Sequence, residues 1–206
     1  MKIIFGLGDS ITYGAWGQQT HGWATLLREW LDGQTPYPGY YFYSLGIPGE
    51  TSAGLRNRFE QEMEARKRSD DESFVYFVAC GANDATWLNG EQRFKQTTEQ
   101  YADNMRYILS VIKEKPGKFY VLNTTPVNEE FSTEFGGKDK ACLNKYVDKY
   151  NDVLTNICNE LGVSLVDINS TFKANDIASL LTPDGLHPND NGHQLIFETI
   201  KTLAIN

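Results

Sequence analysis

Five short apolar runs, at 2–7, 40–45, 73–80, 118–123 and 163–168, punctuate this chain, and between them the apolar residues fall into helical spacing. The runs are rich in Ile, Val, Phe and Tyr, residues that suit strands buried on both faces of a sheet. The segments between them read differently. "GWATLLREWL" sets Trp23, Leu26, Leu27, Trp30 and Leu31 on one stripe, and "YADNMRYILSVIKE" does the same with Met105, Ile108, Leu109 and Ile112. Residues 143–161 repeat Tyr146, Val147, Tyr150, Leu154, Ile157 and Leu161, then stop at Gly162 as a helix with a left-handed cap does. A helix is expected from near Thr51, and a last one after Pro188 carrying Leu195, Ile196, Ile200 and Leu203.

Strands that alternate with helices predict an α/β fold: a five-stranded parallel sheet, covered on both faces and joined by right-handed crossovers. Ligands then belong at the carboxyl ends of the strands. With 206 residues, 40% of them hydrophobic and 22% charged, the chain has the make-up of one domain spanning 1–206. The seven prolines are scattered, and no repeat or Gly/Ser-rich linker divides it.

Charge narrows the partners. A net charge of -8, with basic residues dispersed among acidic ones as in "EARKRSDDE" at 64–72, opposes binding to a phosphate backbone, so nucleic acid is not expected. No apolar run is long enough to span a bilayer, and "MKIIFGLGDS" reads as a first strand, not a signal peptide, which points to a cytoplasmic protein. Cys80, Cys142 and Cys158 have no CxxC spacing and are expected as reduced, packed thiols. With only His21, His187 and His193 and no HExxH, a built-in metal site is not expected.

The chemistry is sought in the loops after the strands. "GLGDSITYG" follows the first, but Ile11 stands where a dinucleotide fingerprint needs its third glycine, and Ser44 and Leu45 replace the acidic end of the second strand. "SLGIPGETS" follows the second strand and places Gly49 where backbone N–H groups can face a ligand. "CGANDATW" follows the third; its Asn83-Asp84 pair suits a cap or Asx-turn, or an Asn83 amide aimed into a cleft. "TPDGLHPNDNGH" puts Asp184 and His187 three apart in a turn ahead of Pro188, which suits the first turn of the final helix, at a spacing that lets a carboxylate reach Nδ1 of the imidazole.

Taken together, Gly8-Asp9-Ser10-Ile11-Thr12, Gly49, Gly81-Ala82-Asn83-Asp84 and Asp184-Gly185-Leu186-His187-Pro188 resemble the blocks of the GDSL or SGNH hydrolases, in family order over nearly the whole chain. Ile11 replaces the leucine of the family name and keeps its apolar character.

The resemblance implies a three-layer α/β/α sandwich with flavodoxin-like strand order and a carboxylic ester hydrolase that needs no metal or organic cofactor. It assigns Ser10 as nucleophile, His187 as base and Asp184 as its orienting acid, with an oxyanion hole from the backbone N–H groups of Ser10 and Gly49 and the Asn83 amide. Asp9, the rival acid, is expected to brace the turn through backbone amides. The substrate implied is a small-molecule ester; bulky rings expected around the acyl site favour acetyl to butyryl groups on a soluble, sugar-like alcohol. A lysophospholipase, a thioesterase or a catalytically silent ligand-binding module are the alternatives, and the oligomeric state stays open. Trp16 and Trp87, next to the Ser10 and Asn83 blocks, and Phe131 and Phe135 in the aperiodic stretch 126–140 are expected as walls of the substrate site, with Gly136-Gly137 as a hinge.

Overall fold

The computed structural model describes residues 2–34, 39–68, 73–134 and 139–205. The elements run in the order β1 (Lys2–Gly8), α1 (Ser10–Tyr13), α2 (Trp23–Asp32), β2 (Tyr40–Gly46), α3 (Ser52–Glu64), β3 (Ser73–Ala79), β4 (Trp87–Leu88) and β5 (Arg93–Phe94). Then follow α4 (Thr98–Lys113), β6 (Lys118–Leu122), α5 (Glu129–Ser132), β7 (Lys140–Ala141), α6 (Asn144–Leu161), β8 (Ser164–Val166), α7 (Ile168–Lys173), α8 (Ile177–Leu180) and α9 (Asp190–Ile200).

Five strands form a parallel sheet in the order β2-β1-β3-β6-β8, the flavodoxin-like arrangement. The chain moves one way from β1 to β2 and then the other way through β3, β6 and β8. That reversal opens a crevice at the carboxyl ends of β1 and β3, the place where open α/β sheets hold their ligands. Gly8 is paired with Gly46 on one side and Ala79 on the other, so the loops leaving β1, β2 and β3 start at one level.

Alternation along the strands divides the core between the two faces. Ile3, Phe5 and Leu7 of β1 and Phe74, Tyr76 and Val78 of β3 pack against α3, α4 and α6, where Phe59, Met105 and Leu154 are fully buried. Ile4, Val75 and Phe77 point the other way, onto Trp23 and Leu27 of α2, Phe172 of α7 and Ile196 and Ile200 of α9. Truncating a buried side chain such as Phe59 or Leu27 to alanine costs about 2–5 kcal/mol through lost transfer energy and the cavity left behind.

A second sheet, β5-β4-β7, is antiparallel and built from two-residue strands. Trp87, Phe94 and Tyr146 cluster on it, with ring centroids 4.9 to 6.1 Å apart. Cys80, Cys142 and Cys158 are all buried and free.

Candidate active site

The turn between β1 and α1 begins with a close approach. A Cβ on Gly8 would lie 2.2 Å from the Ala79 carbonyl oxygen and 2.3 Å from Thr12 Oγ1, so only glycine lets the strand end press against β3 while the chain turns into α1. Asp9 caps that short helix by accepting the Ile11 N–H at 3.0 Å. Burial pushes the Asp9 carboxyl up to about 6, against the lowering effect of the Ile11 bond. Ser10 is thereby fixed as the first helical residue, 7% exposed, with its hydroxyl at the sheet edge.

His187 Nε2 lies 3.0 Å from Ser10 Oγ, and His187 Nδ1 lies 2.6 Å from Asp184 Oδ2. The other Asp184 oxygen accepts from Thr182 Oγ1 at 2.7 Å, Leu186 N at 2.8 Å and His187 N at 2.9 Å. Burial alone would raise this carboxyl; the hydrogen bonds from His187, Thr182 and Leu186 outweigh it and hold Asp184 well below the usual carboxylate range. An ionised Asp184 selects the Nδ1–H tautomer, which leaves Nε2 free to accept the serine proton.

Pro188 stands one residue before the N-cap of the last helix and not in its first turn. Asn189 is the N-cap of α9, accepting from Asn191 N and Gly192 N, so Asp184 to Pro188 form a separate turn ahead of it. Residues 128–132 support that turn from behind: Asn128 N donates to the Gly185 carbonyl at 2.8 Å, and Gly185 sits against the Asn128 carbonyl and Phe131.

Gly49 follows β2 with φ +81°, a left-handed conformation that suits glycine, and nothing stands where its side chain would be. Two charged residues behind it fix the loop. Arg58 of α3 donates to the carbonyls of Leu45 at 2.7 Å and Gly8 at 3.2 Å and pairs with Glu50. One guanidinium therefore ties the ends of β1 and β2 to the Gly49 loop.

The Asn83-Asp84 pair divides its duties. Asp84, fully buried, accepts from Ser52 N at 3.1 and 3.0 Å and from Ser52 Oγ, and so caps α3; burial pushes it up to about 6 against those bonds. Asn83 faces the cleft, where its Oδ1 accepts from Lys95 Nζ at 3.1 Å. The cleft, about 200 Å³, is lined by Ser10, Gly49, Asn83 and His187 together with Tyr13, Trp16, Lys95 and Lys140.

Of the expected aromatic walls, Trp16 is at the cleft. It is 63% exposed, has φ +98° and approaches the His187 ring edge-on at 6.0 Å between centroids. A bulky residue held at positive φ with its ring in solvent is a strained arrangement of the kind found at ligand sites. Trp87 does not line the cleft: β4 is antiparallel to both of its neighbours and turns the indole onto Phe94 and Tyr146. Phe131, 51% exposed, stands behind the Asp184 turn and not among the lining residues. Phe135 and Gly136-Gly137 lie outside the described residues. Tyr13, Lys95, Lys140 and Arg58 were not expected. Among the described residues, no His, Cys, Asp or Glu side chains converge in a group of three that could hold a metal, and no helix is long and apolar enough to cross a membrane.

A serine, imidazole and carboxylate in line, beside a glycine turn and an asparagine amide, is an arrangement for acyl transfer. Residues 7–195 match the model of the GDSL-like lipase/acylhydrolase family. The chain belongs to that family. By that membership it is a carboxylic ester hydrolase, and a catalytic triad with an oxyanion hole is standard in the family. An acetylxylan esterase of Geobacillus stearothermophilus is 26% identical over 211 residues, covering 95% of this chain and 90% of that protein. A GDSL esterase/lipase of rice, Oryza sativa subsp. japonica, is 32% identical over 108 residues, 50% of this chain and 42% of the rice protein.

Solved structures agree on the fold. The acetylxylan esterase of G. stearothermophilus superposes with a TM-score of 0.71 at 21% identity over 98% of this chain and 93% of its own. An α/β hydrolase enzyme from the metagenome of Lake Arreo gives 0.72 at 22% identity over 100% and 96%. A lipolytic G-D-S-L family member from Veillonella parvula gives 0.70 at 20% identity over 98% of both chains.

Proposed function

We propose that this hydrolase works through an acyl-enzyme on Ser10 and removes short acyl groups such as acetyl from a soluble, sugar-like alcohol. The observation that carries the mechanism is the continuous line from Ser10 Oγ through His187 to Asp184, with separations of 3.0 and 2.6 Å, opening into the cleft. His187 Nε2 takes the Ser10 proton as Oγ adds to the ester carbonyl, while Asp184 steadies the imidazolium. Negative charge on the carbonyl oxygen is met by the N–H groups of Ser10 and Gly49 and by the Asn83 amide, each such donor contributing roughly 10²–10³ in turnover. The imidazolium then protonates the leaving alcohol. Water, deprotonated by the same nitrogen, hydrolyses the acyl-enzyme and restores Ser10.

The short acyl group and sugar-like alcohol rest on two supports. The cleft is only about 200 Å³, and the exposed rings of Tyr13 and Trp16 at its mouth offer flat apolar faces of the sort on which sugars stack. An acetylxylan esterase aligned over 95% of the chain points the same way. The test is kcat/KM across esters from acetyl to dodecanoyl, then on acetylated xylo-oligosaccharides against free alkyl acetates. An optimum at acetyl to butyryl, with a penalty for Trp16→Ala that is largest on the sugar ester, supports the reading. An optimum at octanoyl or longer contradicts it.

A further inference from the structure

We propose that Lys95 is a positioning residue for the oxyanion hole: its ammonium fixes and polarises the Asn83 amide so that Nδ2 is turned to the developing oxyanion. The inference rests on the esterase reading above and adds to it a charge that the serine, histidine, aspartate, glycine and asparagine blocks do not contain.

The placement begins with the small sheet. β5 pairs with β4, and Lys95 extends the hairpin by donating its N–H to the Thr86 carbonyl at 3.0 Å, which brings it back beside the loop that leaves β3. Its Nζ lies 3.1 Å from Asn83 Oδ1, and the side chain is half-buried in the wall of the cleft. An ammonium has three donors and no acceptor. Only the oxygen of the Asn83 amide can therefore face it, and the two Nδ2 hydrogens are left for the cleft. Without such a partner an asparagine amide can present either end to a substrate; with it, one orientation is selected.

Charge adds to geometry. A hydrogen bond from an ionised donor is roughly twice as strong as a neutral one, and it polarises the amide so that the opposite N–H becomes a better donor. Among the described residues Lys95 and Lys140 are the only lysine or arginine residues lining the cleft, and no carboxylate lines it, although the chain carries -8 overall. Among the described residues no carboxylate forms an ion pair with Lys95. Its field is therefore directed at the place where Ser10 addition creates negative charge, which favours the transition state more than the bound ester.

The titratable groups whose charge acts on Lys95 are Lys140 of β7, Cys142 just beyond it, Asp84 in the Asn83 loop and Asp9 in the Ser10 turn. Burial, with Lys140 adding to it, lowers the Lys95 ammonium from its ordinary range. The charge is accordingly lost at a less alkaline pH than for a free lysine.

The experiment is pre-steady-state hydrolysis of 4-nitrophenyl acetate by the wild type and by Lys95→Met, Lys95→Gln and Lys95→Arg, separating the acylation rate from the initial binding constant and following both with pH. Lys95→Met should lower the acylation rate about 10- to 100-fold, less than deleting an oxyanion donor outright, with the binding constant changed by less than about threefold. The Arg variant should recover much of that rate. The wild type should lose acylation on the alkaline side as the ammonium gives up its proton, an effect absent from the Met and Gln variants and moved to higher pH with Arg. If Lys95→Met does not fold, as judged by circular dichroism, Lys95→Gln carries the test. A folded neutral variant that acylates at the wild-type rate, keeps the alkaline loss, or loses only substrate binding overturns the inference. An inactive wild type would instead overturn the esterase reading on which it stands.

Discussion

Ser10 Oγ and His187 Nε2 stand 3.0 Å apart although 177 residues separate them in the chain. The contact exists because β1 ends inside the sheet, between β2 and β3, and the turn before α9 returns to the same edge. Replacing either residue by alanine should remove roughly 10⁵–10⁶ of turnover, since a nucleophile and its base act as one unit. Thermal melting should stay close to wild type for Ser10→Ala, as the lost hydroxyl has no structural partner beyond the imidazole.

Asp184 and Asp9 should separate cleanly. Asp184→Asn forces the wrong imidazole tautomer and should cost about 10⁴ in kcat. Asp9→Ala removes the α1 cap and should cost about 1 kcal/mol of stability along with activity. Burial raises Asp9 to about 6, so its folded form holds a proton that the unfolded chain has already released between about pH 4 and 6. The Asp9 contribution therefore falls as pH rises through that window. Asp9→Asn, which can still cap Ile11 N, should gain stability relative to wild type at about pH 8 compared with about pH 4; urea titration of both proteins at the two pH values measures it.

His193 gives the opposite slope. It is fully buried in α9, where Nδ1 accepts from Trp23 N and Nε2 donates to the Ala15 carbonyl, both at 3.3 Å. Burial first, and His187 with it, lowers this imidazole to about 4 in the folded protein. Its stabilisation is complete above the unfolded value near 6.5 and is lost as pH falls from there to about 4, up to about 3 kcal/mol. Protonation would also set a donor against the Trp23 N–H. Chemical denaturation across this window should show the wild type weakening on acidification and His193→Gln much less so; equal slopes would remove His193 from the account.

Arg58→Met should destabilise by about 3–5 kcal/mol, because it leaves the nearly buried Glu50 carboxylate without its cation. Activity should fall too, since the Gly49 loop loses its tether. Adding Glu50→Gln should return part of the stability, and a double variant no better than the single one would show that the carbonyl contacts of Arg58 are what matter.

The strands were legible because each is a continuous apolar run, and the observed limits of β1, β2, β3 and β6 differ from those runs by no more than a residue or so. Gly8, Asp9, Ser10, Gly49 and Asn83 stand in short blocks at strand ends, and Asp184 and His187 in a block ahead of α9; each block is weak alone, and it was their combination and the family resemblance that made them legible. Lys95, Lys140 and Trp87 were not, because two-residue strands carry no periodicity and their pairing is set by distant contacts. That pairing turned Trp87 away from the cleft and brought Lys95 into it. Arg58 reads as one more charge on an amphipathic helix, and only the folded chain shows the two carbonyls it reaches. Residues 128–132 look like a loose rim in sequence, whereas Gly185 packed on Asn128 makes them the backing of the Asp184 turn.

The most direct test of the account is active-site labelling with a fluorophosphonate, read by peptide mass spectrometry alongside hydrolysis of 4-nitrophenyl acetate. The account predicts a single adduct on Ser10 of the folded wild type, protection of that residue by excess acetate ester, and neither adduct nor significant turnover in Ser10→Ala. An adduct on another residue, or turnover in Ser10→Ala within about tenfold of wild type, would contradict it.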